Sequence, residues 1–404
     1  MIGLSLGLGL SSSVLSTLGQ VLALLDAANT DGAYYDPSDL TSLFQDSKGT
    51  TQVASDGDVV GFMLDKAQFG GKTAAGFIAG ADEVSSNAGN TFTATTGYVA
   101  YATSGTVPTL SVVSGNLRVA NAGSTNHGKA VIPLTGLTVG RYYHVSIGGA
   151  SGTGTSYCRV TTSSTGLASG SVLEMDANNG DYDAFFAASA TTMYLSLGND
   201  GAGSTYVEFT AASVKEVPGF HMVQSTTAAK PLYKTSGGLH WLDADGVNDL
   251  MLATPGLDLG ETWSHVGGWR VDAGGDALFA LSDVSAKSGP YSQSTAANGL
   301  EWQNAGDTAR DEVLAGDPTT AFIMSMAEAS GSINSRYNGA SDTTLAVYDD
   351  SAGTQGLALF TGITTSATAA LLGRFYGGIF TAQALSDSDL VLCETLIDQN
   401  VGVL

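Results

Sequence analysis

Positive charge is scarce in this sequence: 15 Lys and Arg stand against 38 Asp and Glu, a formal net charge of −23. Phosphate backbones and anionic lipid surfaces are gripped by clustered Lys or Arg, so nucleic acid partners and membrane insertion are disfavoured. Cysteine is scarcer still. Cys158 and Cys393 lie far apart, which implies neither a disulfide framework nor a zinc site, and both read as small buried hydrophobes. The five histidines, His127, His144, His221, His240 and His265, are dispersed, with no pair at metal-binding spacing. No apolar run approaches the ~20 residues that span a bilayer. The apolar N-terminus lacks the basic residues that open a secretory signal, so the chain is expected to be mature from Met1. No Pro-rich or strongly charged linker and no fixed-period repeat cuts the chain, so boundaries come from changes in pattern.

Glycine is abundant, at 53 residues, and 43% of the chain is hydrophobic. Val, Ile, Leu, Tyr and Phe recur in short runs, which excludes a disordered composition. Residues 2 to 10 alternate strictly: Ile2, Leu4, Leu6, Leu8 and Leu10 share one face of a strand and small residues share the other. A bare face lets another backbone approach, so this segment could dock on the edge of a neighbouring sheet or serve as an edge strand of its own. Val14, Leu15, Leu18, Val21, Leu22 and Leu25 follow at helical spacing behind a serine cluster that can cap. From Ala33 onward the text becomes short β-prone runs broken by Gly, Asn, Asp and Ser, the signature of sandwiches or barrels. Tyr142 to Ile147, Ser156 to Thr162, Met193 to Leu197 and Tyr206 to Val214 are strand candidates. Near the end, Ser386 followed by Asp389 and by Leu390, Leu392, Leu396 and Ile397 predicts a capped helix that stops before Gly402.

Three stretches carry a family resemblance. The run Tyr34-Tyr35-Asp36-Pro37-Ser38-Asp39-Leu40, with Leu43-Phe44-Gln45-Asp46 and Val60 to Lys66, resembles the opening of lectin-like proteins of tailed phages. Gln224 to Pro231 and Leu242-Asp243-Ala244-Asp245-Gly246-Val247-Asn248-Asp249 resemble the strand and turn of concanavalin A-like (laminin G-like) jelly rolls. Gly373 to Gly378 and the final helix are similar to that family's closing strand and helix. About 160 residues part the opening from the rest, so the resemblance implies one concanavalin A-like domain, split into 33–80 and 219–404. The stretch 81–218 resembles a small carbohydrate-binding-module jelly roll inserted in it. The expected fold is all-β: two β-sandwiches, one inserted in the other, with an N-terminal anchor of strand and helix over 1–32 and a C-terminal helix.

Candidate site residues follow from chemistry. Sandwiches bind sugars through exposed aromatic faces plus a few polar groups, which selects Trp302, Tyr182, Trp263 and Tyr157; Trp241 and Trp269, inside apolar strands, read as core, and Tyr98 and Tyr101 are further rings to test. Asp243, Asp245 and Asp249 could supply oxygen ligands to calcium, and so could Asp176, Asp181 and Asp183, although such groups more often simply solvate a turn. Glycan hydrolysis would need two facing carboxylates, and the alternating Glu/Asp triplet of concanavalin A-like glycanases is absent, so no catalytic residue is assigned. The resemblance implies a virion surface protein of tail-fibre or receptor-binding type, joined to other virion proteins through its N-terminus. It implies host-surface polysaccharide as ligand and a homo-oligomer as assembly. A decoration or cement protein without ligand, and a glycan depolymerase, are the alternatives.

Overall fold

The computed structural model describes residues 16–26, 32–67, 92–124, 126–177, 180–254, 256–257, 259, 262–272, 278–282, 289–292, 300–303, 311–314, 317–329, 331–346, 356–361 and 370–404. The segment carrying Ile2, Leu4, Leu6, Leu8 and Leu10 lies outside them. The chain is all-β, built from two sandwiches, one inserted in the other.

In the parent sandwich the larger sheet runs Leu232–Ser236, Leu239–Asp245, Leu372–Thr381, Trp263–Val271, Phe322–Ala329, Ser332–Tyr337 and Ala340–Ala346, with Gly32–Tyr35 also paired to Leu372–Thr381. The facing sheet runs Phe279–Ser282, Gly356–Leu359, Met251–Thr254, His221–Val223, Phe62–Met63 and Leu43–Phe44. Strands alternate between two apolar faces rather than between an apolar and a wet one. Phe322, Met324 and Met326 enter the core between the sheets, while Ile323 and Ala327 enter a second core on the outer face. Tyr35 and Tyr34 divide in the same way. A sheet covered on both sides reads as nearly continuous apolar text, as this one does.

Two helices cover that outer face. Helix α1, Thr17–Asp26, buries Val21, Leu22 and Leu25 against helix α2, Asp387–Val401, and against Trp241, Val266, Tyr376 and Ile379. The apolar stripe of α1 is therefore used on its own chain. Ser386 caps α2, its Oγ accepting from Asp389 N at 3.3 Å, and Gly402 ends it in the left-handed conformation. Gly268 lets α2 approach the sheet, since a Cβ there would lie 2.4 Å from Val401 Cγ2. Buried Glu394 on α2 receives Arg336 at 2.7 and 3.2 Å and Ser325 Oγ at 2.7 Å, tying helix to sheet. Both cysteines are free and buried, one in each sandwich.

The inserted sandwich has a front sheet, Ser171–Ala177, Ser156–Thr161, Thr192–Asn199, Asn126–Thr135 and Val99–Ser104 in that order. Its back sheet runs Tyr182–Ala187, Tyr142–Gly152, Tyr206–Val217, Asn116–Ala120 and Thr109–Val113. Leu117, Val119, Val145, Ile147 and Val207 from the back pack on Ile132, Leu134, Cys158, Val160 and Leu197 from the front. Asp65 holds the place where the chain leaves the parent and returns. Its carboxylate accepts from Tyr34 N and Ala67 N, both at 2.8 Å, and from Phe220 N at 2.9 Å. Asp65 N donates to His221 Nδ1, and His221 Nε2 donates to Val217 O.

Candidate ligand-binding face

The inserted sandwich has two outer faces, and among the described residues the apolar junction with the parent lies on one of them. Tyr142, Phe185, Ala187 and Val217 on the back sheet pack with Phe62, Leu64, Phe44 and Val223 of the parent. None of the front sheet's residues joins that cluster.

Strand register fixes what the front face carries. Cys158 and Val160 are in the core, so their alternates Tyr157, Arg159 and Thr161 point outward. Following the pairing across the sheet gives one row of Asp176, Tyr157, Gly198, Lys129 and Tyr101. The next row is Glu174, Arg159, Ser196, Val131 and Val99. The third contains Thr161, Tyr194 and Pro133. Over the middle of this face folds the loop 162–170: Gly166 lies so close that a Cβ would be 2.7 Å from Ser196 Oγ and 2.8 Å from Val131 Cγ2.

Three polar groups here are buried without a full set of partners. The Tyr157 ring lies flat over Gly198, where a Cβ would fall 1.8 Å from Cζ, and the Arg159 guanidinium stacks on the ring at 4.1 Å. The ring is 1% exposed, and its buried hydroxyl lies beside that of buried Ser196, which interacts with it. Burial pushes the Tyr157 phenol up to about 12. Lys129 is 1% exposed, and its ammonium has one partner, Thr103 Oγ1 at 3.2 Å. Burial, with Arg159 repelling it, holds its pKa below the usual lysine range, against the attraction of Asp200. Arg159 is bound by Glu174 at 2.6 Å on the exposed edge.

The aromatic candidates from sequence mostly do not present rings. Trp263, 3% exposed, belongs to the parent core, because it starts a strand whose odd positions face inward. Tyr182, 2% exposed, is in the insert core, donating to Ser156 Oγ at 2.8 Å; the turn beside it ends one residue before its strand begins. Tyr157 is on the outer face, but Arg159 covers its ring, so it offers no stacking surface. Trp302 falls in the strand Leu300–Gln303, whose side chains are outside the described residues. Trp241 and Trp269 are core, as their strands predict.

The carboxylates of Asp243, Asp245 and Asp249, the residues expected to be able to hold calcium, each accept a hydrogen bond from their own strand and turn. Asp243 accepts from Trp241 Nε1 at 3.0 Å and faces Arg374 at 3.5 Å. Asp245 accepts from Val247 N, and buried Asp249 accepts from Asp245 N. Asp181 and Asp183 are likewise taken, by Gly149 N and His144. Among the described residues no group of three His, Cys, Asp or Glu could hold a metal ion.

Lys129, Arg159 and Ser196 were missed in the sequence. Their only signal was parity: each alternates with core residues in its strand, at Ala130 and Ile132, at Cys158 and Val160, and at Leu195 and Leu197.

No family model and no curated protein matches this sequence. Among solved structures the chain is similar to the botulinum neurotoxin type G receptor binding domain, at 7% identity and TM-score 0.30, covering 44% of this chain and 48% of that one. It is also similar to Ruminococcus gnavus IT-sialidase CBM40 bound to alpha2,3 sialyllactose, at 13% identity and TM-score 0.27, covering 32% and 81%. The binding domain of Paraclostridial Mosquitocidal Protein 1 matches at 8% identity and TM-score 0.31, over 44% and 49%. The match thus spans about half of each toxin domain's length.

Proposed function

We propose that this chain is a non-catalytic glycan-binding protein and that the front face of the inserted sandwich is its binding surface. The observation that carries the reading is Lys129, buried with one hydrogen-bond partner beside the Tyr157 and Ser196 hydroxyls, on a sheet that takes no part in the apolar junction between the described residues of the two sandwiches. Buried polar groups are normally satisfied, and a hydroxyl-rich ligand supplies the missing donors and acceptors. Half-buried Tyr101 and Tyr194 flank them with ring surface for the apolar side of a sugar, and Leu167 and Val99 are exposed at the rim. Hydrolysis finds no support here: Glu174 and Asp176 share one edge strand, and Glu174 is held by Arg159.

The phage setting rests on the sequence resemblance alone, and with it the reading of 81–218 as the unit inserted between 33–80 and 219–404. Since helix α1 is occupied by its own chain, attachment to other virion proteins would fall to residues before Ser16. Glycan arrays probed with the full chain test the binding reading. Binding that weakens at least about tenfold in Tyr194→Ala supports it, since a ring contact of this kind is worth on the order of 1 kcal/mol or more. Silence across bacterial surface polysaccharides, or binding unchanged in Tyr194→Ala and Ser196→Val, removes it.

A further inference from the structure

Resting on the glycan reading of this face, we infer that its ligand is a carboxylated sugar whose carboxylate accepts hydrogen bonds from Lys129 Nζ. Two lysine and arginine side chains are buried among the described residues, and they are treated oppositely. Arg336 is met by Glu394 in a bidentate pair. Lys129, in a chain with 38 acids to choose from, is met by one hydroxyl. An ammonium has three donors, and a buried charge short of acceptors is costly, so an acceptor from outside would complete the bonding of Lys129.

The surroundings fit a carboxylate better than a neutral hydroxyl. Asp200, the acid that attracts Lys129, is engaged by His127. Arg159, paired with Glu174, lies on the neighbouring row. The hydroxyls of Tyr157 and Ser196 interact with each other, and of the two hydrogens one is left for an acceptor on the same ligand. At long range a chain of charge −23 repels a free carboxylate. An acidic sugar is therefore held only where a desolvated cation meets it directly, and this is such a place.

Titration calorimetry on the full chain, with two matched pairs of probes, tests this. Sialyllactose against lactose, and tetragalacturonate against its methyl ester, differ in the carboxylate and separate sialic from uronic acid. The expected result is that the acidic member of at least one pair binds about tenfold tighter or more than its neutral partner. Lys129→Met should erase that preference while unfolding at the same or higher denaturant concentration, because an uncompensated charge has gone. Tyr101→Glu, which puts a carboxylate across the strands from Lys129, should erase it too, and so covers the case in which Lys129→Met fails to fold. Equal binding of acidic and neutral members by the unaltered chain overturns the inference and leaves the glycan reading standing. A preference that survives in both variants does the same. No binding by either pair, with silence on neutral glycan arrays, overturns both.

Discussion

His265 lies inside the parent core with its ring stacked on Phe380 at 4.3 Å, accepting at Nε2 from Trp269 Nε1 at 3.3 Å and donating from Nδ1 to Ile379 O at 3.1 Å. Both bonds suit the neutral ring, and burial pushes its pKa down to about 3. Unfolded, it titrates near 6.5, so from pH 6.5 down toward 3 the unfolded chain takes a proton that the folded chain refuses. Its contribution is full above pH 6.5 and is lost as the pH falls, by at most about 1.4 kcal/mol per pH unit for one proton. His221, lowered to about 4 by burial, acts in the same sense. Asp65 acts in the opposite one. Burial raises its pKa to about 7 against its three backbone donors, so its contribution is present below about pH 4 and is lost as the pH rises through 7. Because these slopes cancel in part, a substitution isolates one of them better than the native curve does. His265→Gln should be less stable than the native chain at pH 7, with the gap narrowing as urea titrations move to pH 5.5 and then 4.5. Parallel losses at all three pH values would show that the imidazole is not held neutral.

At the scale of elements, helices α1 and α2 are one layer on the outer face of the larger sheet, and each leans on the other. Val21, Leu22 and Leu25 are each buried, and burying such a side chain is worth about 1.5–3 kcal/mol before the cost of ordering the helix. A chain shortened to begin at residue 28 should therefore lose about 2–4 kcal/mol in denaturant titration; unchanged stability would mean that the docking seen here carries no energy. Gly268→Ala should cost about 1–3 kcal/mol, because its methyl would press on Val401 and Ile397 of α2. Much of this layer was legible in the sequence. Ser386 with Asp389 announced α2, the leucine spacing announced α1, and the strand candidates Tyr142 to Ile147 and Ser156 to Thr162 begin where the strands begin. What α1 packs against was not legible, because an apolar stripe fits its own sheet and a partner equally well. The face proposed for binding was hidden for a related reason. Tyr157 and Tyr182 look alike as sequence, each beside Ser or Asp, and only the choice of inward parity in each strand sends one to the outer face and the other to the core.

Across the whole molecule the inserted sandwich is bolted to the parent rather than tethered. Phe185 reaches from the back sheet into the parent, its ring 5.5 Å from Phe44 and 5.2 Å from Phe62, while its own N–H donates to Lys48 O at 2.7 Å. Tyr142 and His221 close the cluster around Phe62, at 5.1 and 5.6 Å. Asp65 then fixes the two crossing strands with bonds to residues on both sides of the insertion. Each sandwich has its own core, so each has the means to fold alone, and what makes them one unit is this junction. Native calorimetry should accordingly show a single cooperative transition. Phe185→Ala removes the ring that bridges the two and opens a cavity at the junction, a change that costs about 3–5 kcal/mol when the site cannot collapse. Because the ring lies between the cores rather than in either, the loss should fall on the coupling, and the single transition should divide into two. The glycan binding proposed for the front sheet, on the opposite side of the inserted sandwich, should survive with unchanged affinity. A variant that still melts in one step, only at lower temperature, would place Phe185 within one of the two cores and would refute the junction as the source of cooperativity.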